Sequence, residues 1–257
     1  MKPEKLDVIF LTKVQMMRLR GMVRIVPVMS VEFKTTSHAP REHLHLSHMI
    51  FDMDGTLVEN MELIIRSVNF AVKDIVGKEF NRKELYSYFG PTLEQIIIEL
   101  VPSGEAENAV RNYHAYYREH FKELAKVHEG IHALLRYLKD AGIETAIYTG
   151  SDARMTKTTL ELTGLQDQFP VVVTADDVKK QKPDPEGLIR TIDLMHGKPE
   201  TALYLGDAVR DVTAAKSASM LSAAALWGFA DPARLRGSDP DFVFESPLDA
   251  LRQLKDS

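Results

Sequence analysis

FDMDGTLVEN, residues 51–60, closes the apolar run HMIF (48–51) with two acidic side chains two positions apart, Asp52 and Asp54, and follows them at once with Gly55 and Thr56. A short apolar run that ends in a glycine turn reads as a buried strand. Two carboxylates at the end of such a strand repel each other and lose hydration, so the fold must bring them a counter-charge.

Reading outward, HMIFD is the first of six short apolar runs. The others are ETAIYT (144–149), VVVTA (171–175), ALYLGD (202–207), SAAALW (222–227) and DFVFE (241–245). Between them lie amphipathic runs with helical spacing: IHALLRYLKDAG and ARMTKTTLELTG, each stopped by a glycine, then EGLIRTIDLMHG, VRDVTAAKSAS and PLDALRQLKDS. Strand and helix alternating in this way predict an α/β fold, a doubly wound parallel sheet with helices on both faces. The rhythm breaks once. Residues 61–127 show only helical patterns: MELIIRSVNFAVKDIVG, RKELYSYFG, TLEQIIIELV and AVRNYHAYYREHFKELA. An insertion of this length after the first strand predicts a small all-helical cap over the sheet. The expected division is an α/β core of residues 48–60 and 128–257, a helical cap of 61–127, and an N-terminal extension of 1–47. In that extension VRIVPVMSVEF alternates weakly like an edge strand interrupted by Pro27, within a loosely ordered stretch. His43, His45 and His48 read as a solvated lead-in to the first strand, since no carboxylate or cysteine accompanies them at metal-site spacing.

Composition narrows the function classes. Residues 1–47 hold eight Lys or Arg against four Asp or Glu, so the net charge of −5 is a +4 segment on a −9 body, a poor surface for nucleic acid. No apolar stretch approaches the roughly 18 residues of a membrane span, and the opening residues carry too short an apolar centre for a secretory signal. The expectation is a cytoplasmic monomer or homodimer with neither a membrane nor a nucleic-acid partner. Zero cysteines exclude disulfides, zinc–thiolate sites and thiol catalysis.

In an open parallel sheet, ligands bind beyond the carboxyl ends of the strands. There the sequence puts Asp52 and Asp54 after the first strand and Thr149, Gly150 and Ser151 after the second. Lys182 follows in the KPDP loop after the third, and Asp207 and Asp211 come after the fourth. Asp52, Asp207 and Asp211 offer hard oxygen ligands suited to Mg2+, while Lys182 and Thr149 are donors suited to phosphate oxygens. Simpler readings stand beside these. The Asp52–Asp54 pair alone reads as a turn, Thr149 as a cap for the helix near Asp152, Lys182 as an exposed loop lysine, and Asp211 as an acid favoured by a helix dipole.

FDMDGT, YTGS, KPDP and GDAVRD, in that order and with a helical insertion after the first, resemble the four motifs of the haloacid dehalogenase superfamily of phosphatases over roughly residues 48–255. The resemblance implies that Asp52 is a nucleophile forming an aspartyl-phosphate. It implies that Asp54 is the general acid and base, with its backbone carbonyl on the metal. Thr149 and Lys182 then hold the transferring phosphoryl group, Asp207 ligates Mg2+ directly, and Asp211 stands behind it. Gly150 and Ser151 fall among the phosphate-binding positions, where relatives usually carry a bulkier amide or serine and a basic residue. In the cap, SYFGPTLEQI resembles the specificity loop of phosphoglycolate phosphatases and the related pyrophosphatases, which implies substrate contacts from Gly90, Pro91 and Thr92; a plain helix-ending turn is the equal alternative. Arg66 is a further candidate.

A lid over the cleft favours a small phosphorylated metabolite, phosphoglycolate-like or a sugar phosphate. The rival activities are a phosphomutase of the β-phosphoglucomutase type and a pyrophosphatase. A dehalogenase leaves Asp54 without a task, and phosphonatase relatives generally replace it. A non-enzymatic phosphate-binding domain is disfavoured because all the key acids are present.

Overall fold

The structure, a computed structural model, describes residues 13–19, 22–28 and 46–256. Its centre is a six-stranded parallel sheet built from β3 (His48–Phe51), β6 (Glu144–Tyr148), β7 (Val171–Val173), β8 (Ala202–Gly206), β9 (Leu221–Ala225) and β10 (Phe242–Phe244). The order across the sheet is β10-β9-β8-β3-β6-β7. The chain runs outward from β3 through β6 to β7, returns to the other side of β3 at β8, and runs outward again. The change of direction therefore lies between β3 and β8, and a crevice opens beyond the carboxyl ends of those two strands.

Strand alternation sorts the core. Met49 and Phe51 of β3 turn to one face and join Ile147, Leu203 and Leu205. There they meet α5 (Ile131–Asp140) and α10 (Pro247–Lys255). Ile50 turns to the other face with Ala146, Tyr148, Ala202 and Tyr204, against α7 (Glu186–Leu194) and α8 (Val209–Ser217). With both faces covered, the strands read as near-continuous apolar runs, which is how they stand out in the sequence. Helix α6 (Ala153–Thr163) follows β6, and the short α9 (Pro232–Arg236) follows β9.

Between the two-residue strands β4 (Val58–Glu59) and β5 (Lys126–Val127), which pair antiparallel, the chain makes α1 (Met61–Val76), α2 (Arg82–Ser87), α3 (Leu93–Leu100) and α4 (Ala106–Leu124). Helix α1 buries Met61, Ile64, Val68, Ala71 and Val72, one stripe at three- and four-residue spacing, and ends on Gly77 in the left-handed conformation. Helices α2 and α3 each start with a capping box, Asn81 with Glu84 and Thr92 with Gln95. The stripes of the four helices pack on one another, and Leu63, Ile97, Tyr113 and Phe121 continue the apolar cluster that holds Phe51 and Leu57.

Near the N-terminus, β1 (Lys13–Leu19) pairs antiparallel with β2 (Met22–Val28). The strand read in VRIVPV runs through Pro27, which a two-stranded sheet tolerates because its edges are free. The partner strand KVQMMRL has no clean alternation and escaped the sequence reading. His43, His45 and the rest of that stretch lie outside the described residues. No helix among the described residues is long and apolar enough to cross a membrane.

Leu138 of α5 is fully buried between the sheet and α10, whereas Ile98 of α3 is about half exposed (49%). Leu138→Ala is expected to cost about 2–5 kcal/mol in urea-induced unfolding. Ile98→Ala is expected to stay within about 0.5 kcal/mol of the parent.

Candidate active site

The residues read from the sequence meet at the predicted rim. Asp52 directly follows β3, Thr149 follows β6 and Asp207 follows β8, so their places come from the strand register itself. Lys182 arrives from the loop after β7, and Asp211 from the first turn of α8. The Lys182 ammonium donates to Asp52 Oδ1 at 2.8 Å, Asp211 Oδ1 at 2.8 Å and the Tyr204 hydroxyl at 2.7 Å. Tyr204 in turn donates to the Tyr148 carbonyl at 2.9 Å. All three protons of a buried ammonium are thus used, which is the condition under which a charge is tolerated in an apolar interior. Asp211 is equally committed, for its Oδ2 accepts from the Ala208 N–H at 2.9 Å.

Asp207 sits in a slot cut by glycine. A Cβ on Gly55, whose φ is +85°, would lie 2.3 Å from Asp207 Oδ2, and one on Gly228 would lie 2.2 Å from Asp207 Cβ. The Phe229 N–H donates to the same Oδ2. The turn after β3 is braced from outside: Trp227 Nε1 donates to the Thr56 carbonyl at 2.9 Å, and His128 Nε2 donates to the Gly55 carbonyl at 3.0 Å.

Asp54 points into the same cavity from a separate set of bonds. Asn60 Nδ2 donates to its Oδ1 and the Ser151 hydroxyl to its Oδ2, each at 2.6 Å. Asn60 Nδ2 also reaches the Tyr117 hydroxyl on α4 at 2.9 Å, and that hydroxyl lies 3.1 Å from Thr159 Oγ1 on α6. Thr149 Oγ1 accepts from the Ser151 N–H at 3.1 Å, which leaves its own proton to donate into the cavity. It does not cap α6; Asp152 does, accepting from the Met155 N–H.

The cap candidates divide. Gly90 and Pro91 line the cavity together with Gly150, Ser151, Tyr86 and Phe89. Thr92 is not among the residues lining this cavity; its hydroxyl accepts from the Gln95 N–H at the start of α3. The Ser151 hydroxyl is likewise engaged by Asp54. Arg66 lies on the surface of α1, paired with Glu62 at 2.6 Å.

One oxygen each from Asp52, Asp207 and Asp211 lies within 4.8 Å of the others. Burial pushes the Asp52 carboxyl up to about 6, even with the Lys182 charge pulling it down. Burial, then repulsion from Asp52 and Asp211, raises Asp207 well above the usual carboxylate range. Burial opposes the Lys182 charge, but Asp211 and Asp52 outweigh it and lift the ammonium above the ordinary lysine value. A set of three carboxylates, all oxygen donors and mutually repelled, fits a hard divalent cation such as Mg2+.

A sequence model described as haloacid dehalogenase-like hydrolase matches residues 49–225. The chain belongs to the haloacid dehalogenase-like hydrolase family. It is 30% identical over 208 residues to the pyrophosphatase PpaX of Bacillus cereus (strain B4264), covering 81% of this chain and 96% of that protein. Among solved structures it resembles a predicted phosphoglycolate phosphatase of Haemophilus somnus 129PT, with a TM-score of 0.72 and 22% identity over 80% of this chain and 97% of that one. It also resembles CbbY of Rhodobacter sphaeroides in complex with phosphate, with a TM-score of 0.71 and 21% identity over 82% and 99%.

Against this haloacid dehalogenase-like frame, the sequence reading missed Asn60, Tyr117, Tyr204 and Arg210. Asn60 carried a signal, since it stands where a helix N-cap belongs, yet its side chain makes no capping bond and turns to Asp54 instead. Tyr204 is one polar tip inside an otherwise apolar strand, a feature that reads as packing until the fold sets Lys182 beside it.

A carboxyl at about 6 in the folded chain, against 3.8 ordinarily, holds its proton better when folded, so Asp52 makes the metal-free protein less stable as pH rises from about 4 to about 6. A cation seated among these acids competes with that proton. Millimolar magnesium is therefore expected to raise the melting temperature more at about pH 7.5 than at about pH 5. Equal shifts by scanning fluorimetry at the two pH values would detach the cation from this cluster.

Proposed function

We propose that this protein is a magnesium-dependent phosphatase that hydrolyses a small phosphorylated metabolite through an aspartyl-phosphate on Asp52. The observation that carries the reading is the joint placement of Asp52 and Asp54. One carboxylate is held by Lys182 and faces the acidic cluster; the other is held by Asn60 and Ser151, and both line one cavity with Thr149. Two carboxylates with different partners can hold different protonation states, as a nucleophile and a general acid require.

Asp52 attacks phosphorus, and the bond from phosphorus to the ester oxygen breaks. The departing oxygen takes a proton from Asp54, whose carboxyl is raised by burial while its bonds from Ser151 and Asn60 pull the other way. Asp54, now ionised, removes a proton from water as that water attacks the aspartyl-phosphate, and cleavage of the acyl-phosphate bond returns Asp52 and frees phosphate. Thr149 donates to a phosphoryl oxygen, and Lys182, whose three protons hold Asp52, Asp211 and Tyr204, supplies positive charge beside the phosphoryl group, where negative charge gathers in the transition state. Asp52, Asp207 and the Asp54 carbonyl would hold Mg2+, with Asp211 behind them; when bound, the ion neutralises charge on the phosphoryl group and the carboxylates. The helices between β4 and β5 serve as the cap, their α2–α3 turn placing Gly90 and Pro91 over the cavity. Water and bulky esters are thereby excluded.

A second reading, pyrophosphate as the substrate, draws on the relatives named pyrophosphatase PpaX at 30–31% identity. The same residues serve, with a phosphate as the leaving group.

The test is phosphate release from a panel of small esters, hexose 1-phosphates and pyrophosphate, with and without a chelator. Magnesium-dependent release of free phosphate, without an isomerised sugar phosphate, is expected, and Asp52→Asn should lower kcat by about 10³-fold or more. Unchanged turnover by Asp52→Asn would remove the nucleophile from the scheme. Asn60→Ala is expected to lower kcat by about tenfold with little change in KM, because it loosens the proton donor and leaves the phosphate donors in place.

A further inference from the structure

Arg210 is the second residue of α8 and stands between Asp207 and Asp211 in sequence. Its Nε is buried and has no hydrogen-bond partner among the described residues. It takes no part in the Lys182 network, whose bonds go to Asp52, Asp211 and Tyr204. A cation in the first turn of a helix also opposes the helix dipole, so the stability of α8 gives no reason for it. Its charge is balanced by Asp211, Asp52 and Asp207, but a buried guanidinium N–H without an acceptor is costly unless something else accepts from it.

Its position indicates what that is. Arg210 lines the cavity that holds Asp52, Asp54 and Thr149. It also lines the adjoining pocket formed with Pro183, Thr213 and Arg234. Tyr86 and Phe89 of the helical segment border both spaces, so Arg210 stands where the cavity passes from the carboxylates toward the cap. The transferring phosphoryl group already has Thr149 as a donor and the Lys182 charge beneath Asp52. Arg210 is thus a cation of the cavity wall, with a second basic residue, Arg234, in the adjoining pocket.

We infer that Arg210 forms a second anion subsite that pairs with a carboxylate or phosphate on the leaving group and makes the enzyme selective for doubly anionic substrates. The inference rests on the phosphatase reading above and narrows its substrate class. The planar fork of arginine suits two-point pairing with either oxyanion, whereas lysine supplies charge without the fork.

The test compares matched esters that differ in the leaving group alone: 2-phosphoglycolate, which carries a carboxylate, and ethyl phosphate, which does not. Pyrophosphate serves as the phosphate-bearing arm. For the parent chain, kcat/KM for 2-phosphoglycolate or pyrophosphate is expected to exceed that for ethyl phosphate by about 100-fold. In Arg210→Ala that ratio should collapse toward unity, the larger loss falling on the two anionic substrates; Arg210→Lys should keep an intermediate ratio. Whichever of the two anionic arms shows the loss identifies the group that Arg210 meets. A ratio that survives Arg210→Ala, or an equal fall for all three substrates, overturns the inference while leaving the phosphatase reading intact. Turnover of none of them by the parent chain counts against the phosphatase reading instead. The subsite is then judged by calorimetric binding of 2-phosphoglycolate and ethyl phosphate to the parent and to Arg210→Ala: loss of a preference for the former supports it, and equal affinities in the parent overturn it.

Discussion

A lysine ammonium with no access to water has to find three acceptors inside the protein, and Lys182 finds them on three different elements. Asp52 comes from the end of β3, Asp211 from α8, and Tyr204 from β8 with its hydroxyl anchored to a carbonyl of β6. Satisfying the ammonium therefore fixes the loop after β7 against the central strands and decides which face of β8 carries its tyrosine. Removing one partner from a buried ion cluster typically costs about 3–5 kcal/mol, because the remaining charges are stranded. The chemical consequence is as large as the structural one. Even beside this ammonium the Asp52 carboxyl stands at about 6, so the lysine keeps Asp52 available as an anion near neutral pH.

The second carboxylate is controlled from the other side of the molecule. Asp54 lies two residues beyond Asp52, yet its partners are Asn60 at the start of α1 and Ser151 at the start of the segment leading into α6. Asn60 continues to Tyr117 of α4, and Tyr117 lies beside Thr159 of α6. The group proposed to move the proton is thus held by the helical segment as well as by the sheet. Any displacement of α1 or α4 relative to α6 reaches Asp54 through bonds of 2.6–3.1 Å.

The fold was legible because its strands are buried on both faces and bounded by glycines and helical runs, so each appears as an uninterrupted apolar segment. The charged members of the cluster were legible for a related reason: a carboxylate or lysine at the end of such a segment breaks a strong local pattern. Harder to read were residues whose local and tertiary roles compete. Thr92 carries the hydroxyl expected of a substrate contact, and with Gln95 three residues on it also completes a capping box at the start of α3. Asn60 shows the reverse, a residue placed as a helix cap whose amide is taken by a carboxylate instead. Short strands of little sequence pattern, β1, β4 and β5, depend on backbone pairing and leave almost no trace in the sequence, whereas β2 shows as a weak alternation.

The charges at the site also limit what it can receive. Asp52, Asp54, Asp207 and Asp211 face two cations, Lys182 and Arg210, and Lys182 is already shared between two of the acids. A phosphoryl group brings further negative charge into the same small volume, so binding it without added positive charge would set like charges against one another in a poorly solvated space. Protonation of Asp54 relieves one unit of that excess and at the same time arms the general acid. The remainder falls on Asp52 and Asp207, the two carboxylates most raised by burial and mutual repulsion and the two that flank the switch between β3 and β8. The sheet topology that opens the crevice thus sets the unpaired charge at its floor, where an oxygen-ligated dication and a phosphate can be accommodated together and neither is readily accommodated alone.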